Sequence, residues 1–382
     1  YTYSSEPNAN GTLSAQEQIL AWKINAAGNL PVRNRTTTGY VVDGFYPSGA
    51  LVVQSAKNEQ GFETRNYFDK MGRLILQKSQ AKESISSLND SLQWAQTYFI
   101  YDDFGRLRFV LQPELVKKLV RTNADPTIAQ LSNLAFIYRY DNRGREIVKK
   151  MPGADSVFQV YDNRDRLVMR QNGSQRVLSQ WEFFKYDALN RIVISGIYTH
   201  TANISQALMA ALISKTELNE SYSGNSINHG YTNIVFPTER TDALEIRFYD
   251  DYRFRSLWSN AFNYLSDALS AVVNGYTYTQ PTNPFNFQRG NPTGVKSKII
   301  GTSDYIRKAF YYDDDNQVCQ LIQDVYVNGS IAGTERNSSL YDFTGHLLKS
   351  KITHRPGVPE QRVFSKRFDY DPAGRLINTW LQ

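Results

Sequence analysis

A seven-residue motif recurs along this chain and restricts its fold more than any other feature. It reads aromatic, Asp, two unrestricted residues, then Gly, Asn or Asp, then usually Arg and usually an aliphatic residue. A degenerate copy begins at Tyr249, with Arg253 where Gly is wanted. Self-similarity of this kind predicts repeated supersecondary units. The eight regular copies begin at Phe68, Tyr101, Tyr140, Tyr161, Tyr186, Tyr312, Tyr341 and Tyr370.

The chemistry of the motif predicts the tip of a β-hairpin. An Asp side chain opens a turn by accepting a backbone N–H two residues on. The fifth residue must then adopt positive φ to form the bulge that lets the second strand pair back. The Asp residues are Asp69, Asp102, Asp141, Asp162, Asp187, Asp313, Asp342 and Asp371. The fifth residues are Gly72, Gly105, Gly144, Asp165, Asn190, Asn316, Gly345 and Gly374.

Repeated hairpins stack edge to edge, so the chain is predicted to be mainly β, with one continuous antiparallel sheet and a few inserted helices. The content of 25 Tyr and 20 Phe supports this, because aromatic rings suit the half-buried face of a sheet. We expect the motif aromatics to form a ladder of rings along the sheet. The motif arginines either lie beside rings and pair with Asp, or are solvated. They are Arg73, Arg106, Arg145, Arg166, Arg191 and Arg375.

The sequence pattern predicts a lead-in region of residues 1–66 and a repeat segment of residues 67–382. In the lead-in region, Ser14 and Glu17 have the spacing of a capping box and predict a short helix over 14–26, with strands after it. Helical insertions are predicted near 81–96, 113–135, 204–218 and 260–273. The Pro- and Asn-rich stretch 279–294 is predicted to be a connecting loop.

The motif and its frequency resemble the Rhs/YD-repeat family, which includes teneurins and the shell components of insecticidal toxin complexes. The form of the motif, as in YDDFGRLRFVLQPE from Tyr101, is similar to Bacteroidota-type Rhs proteins. The resemblance implies a spiral β-sheet that forms a hollow shell, often followed by a variable toxin domain. It also implies export through the type IX secretion translocon. We expect the chain to be an internal piece of a larger protein.

The sequence offers little for catalysis, and we expect no enzyme, cofactor or metal site. Cys319 lies on a predicted strand and is expected to be a buried apolar residue. None of the four histidines has metal-pair spacing, and His346 occupies the Arg position of a motif. The Asp313–Asp315 cluster has a calcium interpretation, but a turn explains it better. A net charge of +6 spread along the chain indicates no nucleic-acid surface.

Two functions therefore remain open. The first is a non-catalytic shell segment of a secreted protein, which encapsulates or presents a C-terminal effector or is displayed at the cell surface. The second is a module that binds glycans or cell-surface partners, with Trp258, Tyr276 and Tyr278 as candidate contacts. The expected location is secreted or on the bacterial surface, with a cytoplasmic effector as the alternative. No apolar run in the sequence is long enough to span a membrane as a helix.

Overall fold

Strands dominate the part of the chain that the computed structural model describes, which comprises residues 3–7, 18–35, 44–47, 49–215, 217–285, 288–356 and 362–381. The strands are β1 (Tyr3–Pro7), β2 (Trp22–Ile24), β3 (Pro31–Arg33), β4 (Val52–Lys57), β5 (Glu63–Phe68), β6 (Leu74–Gln80), β7 (Trp94–Tyr101), β8 (Leu107–Leu111), β9 (Ala135–Tyr140), β10 (Glu146–Lys150), β11 (Val157–Tyr161), β12 (Leu167–Gln171), β13 (Gln180–Tyr186), β14 (Ile192–Thr199), β15 (Thr241–Asp250), β16 (Ser270–Val273), β17 (Tyr276–Thr279), β18 (Gln288–Lys298), β19 (Tyr305–Tyr312), β20 (Val318–Val327), β21 (Ser330–Tyr341), β22 (Leu347–Pro356), β23 (Arg362–Tyr370) and β24 (Leu376–Leu381). The predicted mainly β, antiparallel class with a few helices is confirmed.

Short helices interrupt the strands. The α-helices are α1 (Pro113–Thr122), α2 (Ile128–Leu134), α3 (Gly173–Val177) and α4 (Gln206–Ile213). Single 3-10 turns lie at Ser226–Asn228, Arg253–Leu257 and Asn260–Phe262. None of the described helices is long and apolar enough to span a membrane.

The chain divides into two compact units, and residues 1–160 and 170–177 form the first. In this unit β1 pairs with β4, and β4 to β11 pair antiparallel in sequence order. Helix α1 contributes Leu115, Val116 and Leu119 to the hydrophobic core that contains Tyr98 and Phe109 of the strands. Burying each such leucine contributes about 1.5–3 kcal/mol, so the amphipathic helix is stabilised by the sheet that it covers.

Residues 161–169 and 178–382 form the second unit. Here β13, β14 and β15 pair in order, β15 then pairs with β18, and β18 to β24 continue in order. The hairpin of β16 and β17 is separate from this sheet. Trp181, Phe183, Ile246 and Phe248 are buried in the core of the unit.

All eight regular motifs form the predicted hairpin tips. In the first copy, Gly72 N–H donates to the carbonyl of Asp69 and Asp69 N–H donates to that of Arg73, each at 3.0 Å. The strand register shifts by one residue at Phe68, which is the bulge that the turn requires. The predicted positive φ is confirmed at every fifth residue: 76° at Gly72, 75° at Gly105, 81° at Gly144, 62° at Asp165, 65° at Asn190, 66° at Asn316, 89° at Gly345 and 76° at Gly374.

Two of the four predicted helical insertions are confirmed. Helices α1 and α2 fill 113–135, with Pro113 in the first turn of α1 and a capping box of Thr127 and Gln130 at the start of α2. Helix α4 lies within 204–218, and the Ser205 side chain accepts a hydrogen bond from its first turn. Both places carry the local capping signals that start a helix without help from distant residues.

The helix predicted at 81–96 is wrong, because this segment is an irregular loop that leads into β7. The Asp90 carboxylate accepts the N–H of Leu92 at 2.8 Å, and the Gln93 side chain accepts the N–H of Ser86 at 2.8 Å. Polar side chains that bond to nearby backbone compete with the helical ladder for the same N–H groups.

The helix predicted at 260–273 is also wrong: only Asn260–Phe262 is helical, as a 3-10 turn, and β16 begins at Ser270. Phe262 is fully buried, and Asp267 accepts hydrogen bonds from Arg336 and Ser338 of β21. These distant contacts hold the segment in a non-helical conformation, which overrides its local helical preference.

Two further predictions need correction. In the helix predicted over 14–26, residues 22–24 form strand β2, and Ser14 and Glu17 lie outside the described residues. Of the loop predicted over 279–294, the described residues 280–285 contain no strand. The second half is not a loop, because strand β18 begins at Gln288. The boundary between a lead-in of residues 1–66 and a repeat segment of residues 67–382 falls within β5 and stays a prediction of organisation.

Candidate functional site

The repeated Asp–Arg–Tyr arrangement at the hairpin tips is the main polar array of the molecule. Each motif Asp uses one oxygen for the turn: Asp102 Oδ1 accepts Phe104 N–H at 3.1 Å and Arg106 N–H at 2.9 Å. The other oxygen accepts Nε of the motif Arg at 2.7–2.8 Å in all six copies that have an Arg. A carboxylate with this many donors is fixed in place.

Four of the six motif arginines also contact the aromatic ring of the following repeat. The guanidinium carbons lie 5.1 Å from the Tyr101 ring for Arg73, 5.2 Å from Tyr140 for Arg106, 4.7 Å from Tyr186 for Arg166 and 4.4 Å from Tyr249 for Arg191. In these four pairs a guanidinium group covers each ring. The predicted ladder, in which a neighbouring motif ring would cover it, is therefore wrong here. The structure supports pairing with Asp and rings over a solvated role for these arginines.

The tyrosine hydroxyls tie successive repeats together. Five of them donate to the carbonyl of the first residue of the return strand of the preceding motif, at 2.7–3.1 Å. The pairs are Tyr101 with Leu74, Tyr140 with Leu107, Tyr186 with Leu167, Tyr249 with Ile192 and Tyr370 with Leu347. Burial raises the pKa of Tyr101, Tyr140 and Tyr186, so these hydroxyls stay protonated and act as donors.

The remaining motif residues follow the same plan with local variations. Tyr312 donates to the carbonyl of Pro292 at 2.7 Å, while Tyr161 and Tyr341 end strands β11 and β21. His346, at an Arg position, lies 3.1 Å from Asp342 through Nδ1, and its ring centre is 4.7 Å from that of Tyr370. Histidine thus reproduces both contacts of the Arg that it replaces.

Burial differs widely between copies of the same ion pair. The side chains of Arg166 and Asp162 are 7% and 3% exposed, whereas those of Arg145 and Asp141 are 23% and 21% exposed. Partial burial alone would raise the pKa of Asp141, but hydrogen bonds from the backbone and guanidinium of Arg145 bring it below its usual value. The contribution of the pair to stability should therefore depend on position.

The degenerate copy at Tyr249 departs from the hairpin, as its sequence predicts. Arg253 starts a 3-10 turn over Arg253–Leu257, and the chain then builds a cluster of rings. Phe254 stacks on Phe248 with ring centres 4.7 Å apart, and Trp258 lies 4.5 Å from Phe254. This cluster was missed by sequence reasoning, although the dense aromatic spacing from Phe248 to Phe262 was the signal for it.

The structure shows the surroundings of Cys319 and of the Asp313–Asp315 cluster. Cys319 is 1% exposed, and burial raises the pKa of its thiol to about 12, so it is a buried apolar residue as predicted. Asp313 accepts the Gln317 N–H at 2.8 Å, which is the turn contact and not a calcium ligand arrangement. Within the described residues, no group of three or more His, Cys, Asp or Glu side chains could hold a metal ion.

His229 is half-buried and lies against a cation. Its Nδ1 lies 3.0 Å from Nζ of Lys296, and both groups contact the Tyr305 ring. Burial, with Lys296 and Lys298 nearby, lowers the pKa of His229 to about 4. The imidazole is therefore neutral at physiological pH and accepts the lysine proton.

No family model matches the chain, and no curated protein matches it. Among solved structures, the crystal structure of TcdB2-TccC3 is 12% identical over 88% of this chain and 17% of that chain, with a TM-score of 0.37. A Photorhabdus luminescens Tc holotoxin pore is 11% identical over 88% of this chain and 20% of that chain, with a TM-score of 0.31. This chain spans a fifth or less of those chains. TM-scores this low do not establish a shared fold, so the mainly β assignment rests on the strands themselves.

Proposed function

We propose that this chain is a non-catalytic structural segment of a large secreted Rhs/YD-repeat protein, which encloses or presents an effector domain of the same polypeptide. The single observation that carries the proposal is the use of the motif residues. Asp, Arg and Tyr are the residue types that binding and catalytic sites employ, and here they bind one another and the backbone. Such an array has a structural role, because few of its polar groups remain to bind a substrate.

Protease protection tests the enclosing role. The full-length polypeptide would be digested under native conditions and the fragments mapped by mass spectrometry, with the isolated effector domain as control. We expect the repeat segment to resist cleavage and the effector domain to be protected until the protein is denatured. Equal cleavage rates for the effector domain inside and outside the full-length protein would contradict enclosure.

Recognition of glycans or cell-surface partners is the second candidate, favoured by exposed Tyr276 on the β16–β17 hairpin. The structure weakens one of its predicted contacts, because the Trp258 ring packs against Phe248, Phe254 and Phe262. Binding to immobilised glycans by the wild-type protein and by Tyr276→Ala would decide the matter. Loss of a measurable affinity in the variant supports adhesion, and absence of binding by the wild type refutes it.

Export by the type IX translocon, with location outside the cell or on its surface, is proposed from the form of the motif. Protease shaving of intact cells should reach the protein, and deletion of the outer-membrane translocon should retain it inside. A protein that stays protected until lysis, with unchanged location in the deletion strain, would instead support the cytoplasmic effector. In every case we propose that the segment itself has no enzyme activity.

A further inference from the structure

A buried lysine, a glutamate and an asparagine meet in the second unit, outside the repeated motif. Lys185 lies on the buried face of β13, which it shares with Trp181 and Phe183. Its Nζ is 2.9 Å from Oε1 of Glu220 and 2.9 Å from Oδ1 of Asn233. The side chains of Lys185 and Glu220 are 3% and 0% exposed, so this contact is shielded from water.

The two partners of the lysine are themselves held in place. Glu220 accepts the Thr232 hydroxyl at 2.5 Å and the backbone N–H groups of Ile234 and Val235 at 3.3 and 3.1 Å. The side-chain amide of Asn233 donates from Nδ2 to the carbonyl of Thr238 at 2.7 Å, which directs Oδ1 towards the amine. The three reacting groups are therefore positioned before any chemistry begins, as efficient intramolecular reactions require.

The electrostatic environment favours an uncharged amine. Burial lowers the pKa of Lys185, and the charge of Glu220 and its hydrogen bond only partly oppose this. A neutral amine carries the lone pair that a protonated one lacks, so desolvation is a common way to activate a lysine nucleophile. The adjacent carboxylate is the base that can receive the proton that the amine gives up.

We propose that Lys185 and Asn233 form an intramolecular isopeptide bond, with Glu220 carrying the proton. Glu220 first takes a proton from the ammonium group, and the free Nζ lone pair then attacks Cγ of Asn233. As the Cγ–Nδ2 bond breaks, Glu220 gives the first proton to the departing nitrogen. It then takes the second proton from Nζ and is left protonated. The products are an amide between Nζ and Cγ and one molecule of ammonia, so the step needs no oxidant or co-reactant.

The bond would fasten the insertion between β14 and β15, which contains Asn233, to strand β13. Its ends are 48 residues apart in sequence, so the link closes a long loop and restricts the unfolded chain as a disulfide does. The sequence has a single cysteine, Cys319, and so has no intrachain disulfide to supply such a link. An amide cross-link also resists reducing agents, which makes it distinguishable from any disulfide.

Mass spectrometry of the intact chain tests the proposal. After overnight incubation at neutral pH, the expected mass is lower than the sequence mass by one ammonia. Trypsin should then release the segments 177–191 and 216–240 as one joined peptide with no cleavage after Lys185. In the same digest, Lys351 serves as the control and should be cleaved normally. Its Nζ also lies 2.9 Å from a buried carboxylate, that of Asp267, which Arg336 and Ser338 bind in addition. Full sequence mass, with 177–185 and 216–240 recovered separately, would overturn the bond and leave an ion pair only.

Two variants separate the chemistry from folding. Asn233→Ala removes the carbon that is attacked but keeps the contact between Lys185 and Glu220, while Glu220→Gln keeps the shape and removes the base. Both should fold, as judged by the fluorescence of buried Trp181, and both should have the full sequence mass. An ammonia loss that persists in Asn233→Ala would place the reaction elsewhere and overturn the proposal. A joined peptide in Glu220→Gln would overturn the role of Glu220.

Discussion

Replacing Asp162 by Asn tests how much the buried form of the motif contributes to stability. The Asp162 carboxylate accepts N–H groups of Arg164 and Arg166 at 2.8 and 3.0 Å, and Nε of Arg166 at 2.7 Å. Asparagine keeps an oxygen for the backbone contacts but removes the charge. The guanidinium of Arg166, only 7% exposed, would then lose its counter-ion.

The size of the effect follows from what remains around Arg166. Breaking a buried ion pair typically costs about 3–5 kcal/mol, because a charge is left uncompensated. Here Arg166 still donates to the Leu218 carbonyl at 2.6 Å and to the Asn219 side chain at 3.0 Å, which offsets part of the loss. We therefore expect the free energy of unfolding to fall by about 2–4 kcal/mol in Asp162→Asn.

Asp141→Asn is the matched control. Asp141 makes the same turn contacts, with the N–H groups of Arg143 and Arg145 at 2.9 and 3.0 Å, but its ion pair is far more exposed. The free energy of unfolding should fall by about 1 kcal/mol or less in Asp141→Asn, since exposed ion pairs contribute little to stability. Urea denaturation followed by tryptophan fluorescence gives both values, with buried Trp181 reporting on the second unit and buried Trp94 on the first. Equal losses in the two variants would refute the argument that burial sets the strength of the pair.

Three further predictions concern a turn, a histidine and a close contact. Gly105→Val should lower the free energy of unfolding by about 1–2 kcal/mol, because φ is 75° and a β-branched residue is strained there. Stability should fall as the pH drops from about 6.5 to about 4, because the unfolded state protonates His229 before the folded state does, and Lys296→Met should reduce this dependence. Gly294→Ala should cost about 1–3 kcal/mol, because a Cβ would lie 2.6 Å from the Phe254 ring.

Each of these has a clear contrary result. A Gly105→Val protein with wild-type urea midpoint would mean that the tip relaxes to another turn. A stability curve that is unchanged by Lys296→Met across the acid range would remove the lysine as a cause of the low pKa of His229. A Gly294→Ala protein as stable as the wild type would show that the Phe254 ring moves aside without cost.

The sequence determined the hairpin tips because their causes are local. Asp102, Gly105 and Arg106 lie within five residues of one another, so the turn, its positive φ and its ion pair follow from chemistry that the motif itself contains. The helix that begins at Pro113 could also be predicted, since the proline that starts it and the apolar residues of its buried face lie in one short segment.

Only the tertiary structure decided the rest, because it depends on residues that are distant in sequence. The contact of Arg191 with the Tyr249 ring joins positions 58 apart, with an insertion between them whose length the motif does not set. The segment 263–273 is not helical, because Arg336 and Ser338 bind Asp267. Nor does the sequence bring Lys185 to Asn233, since 48 residues separate them and folding alone closes the loop. Local turn chemistry is short-ranged, whereas such contacts exist only after the sheet has formed.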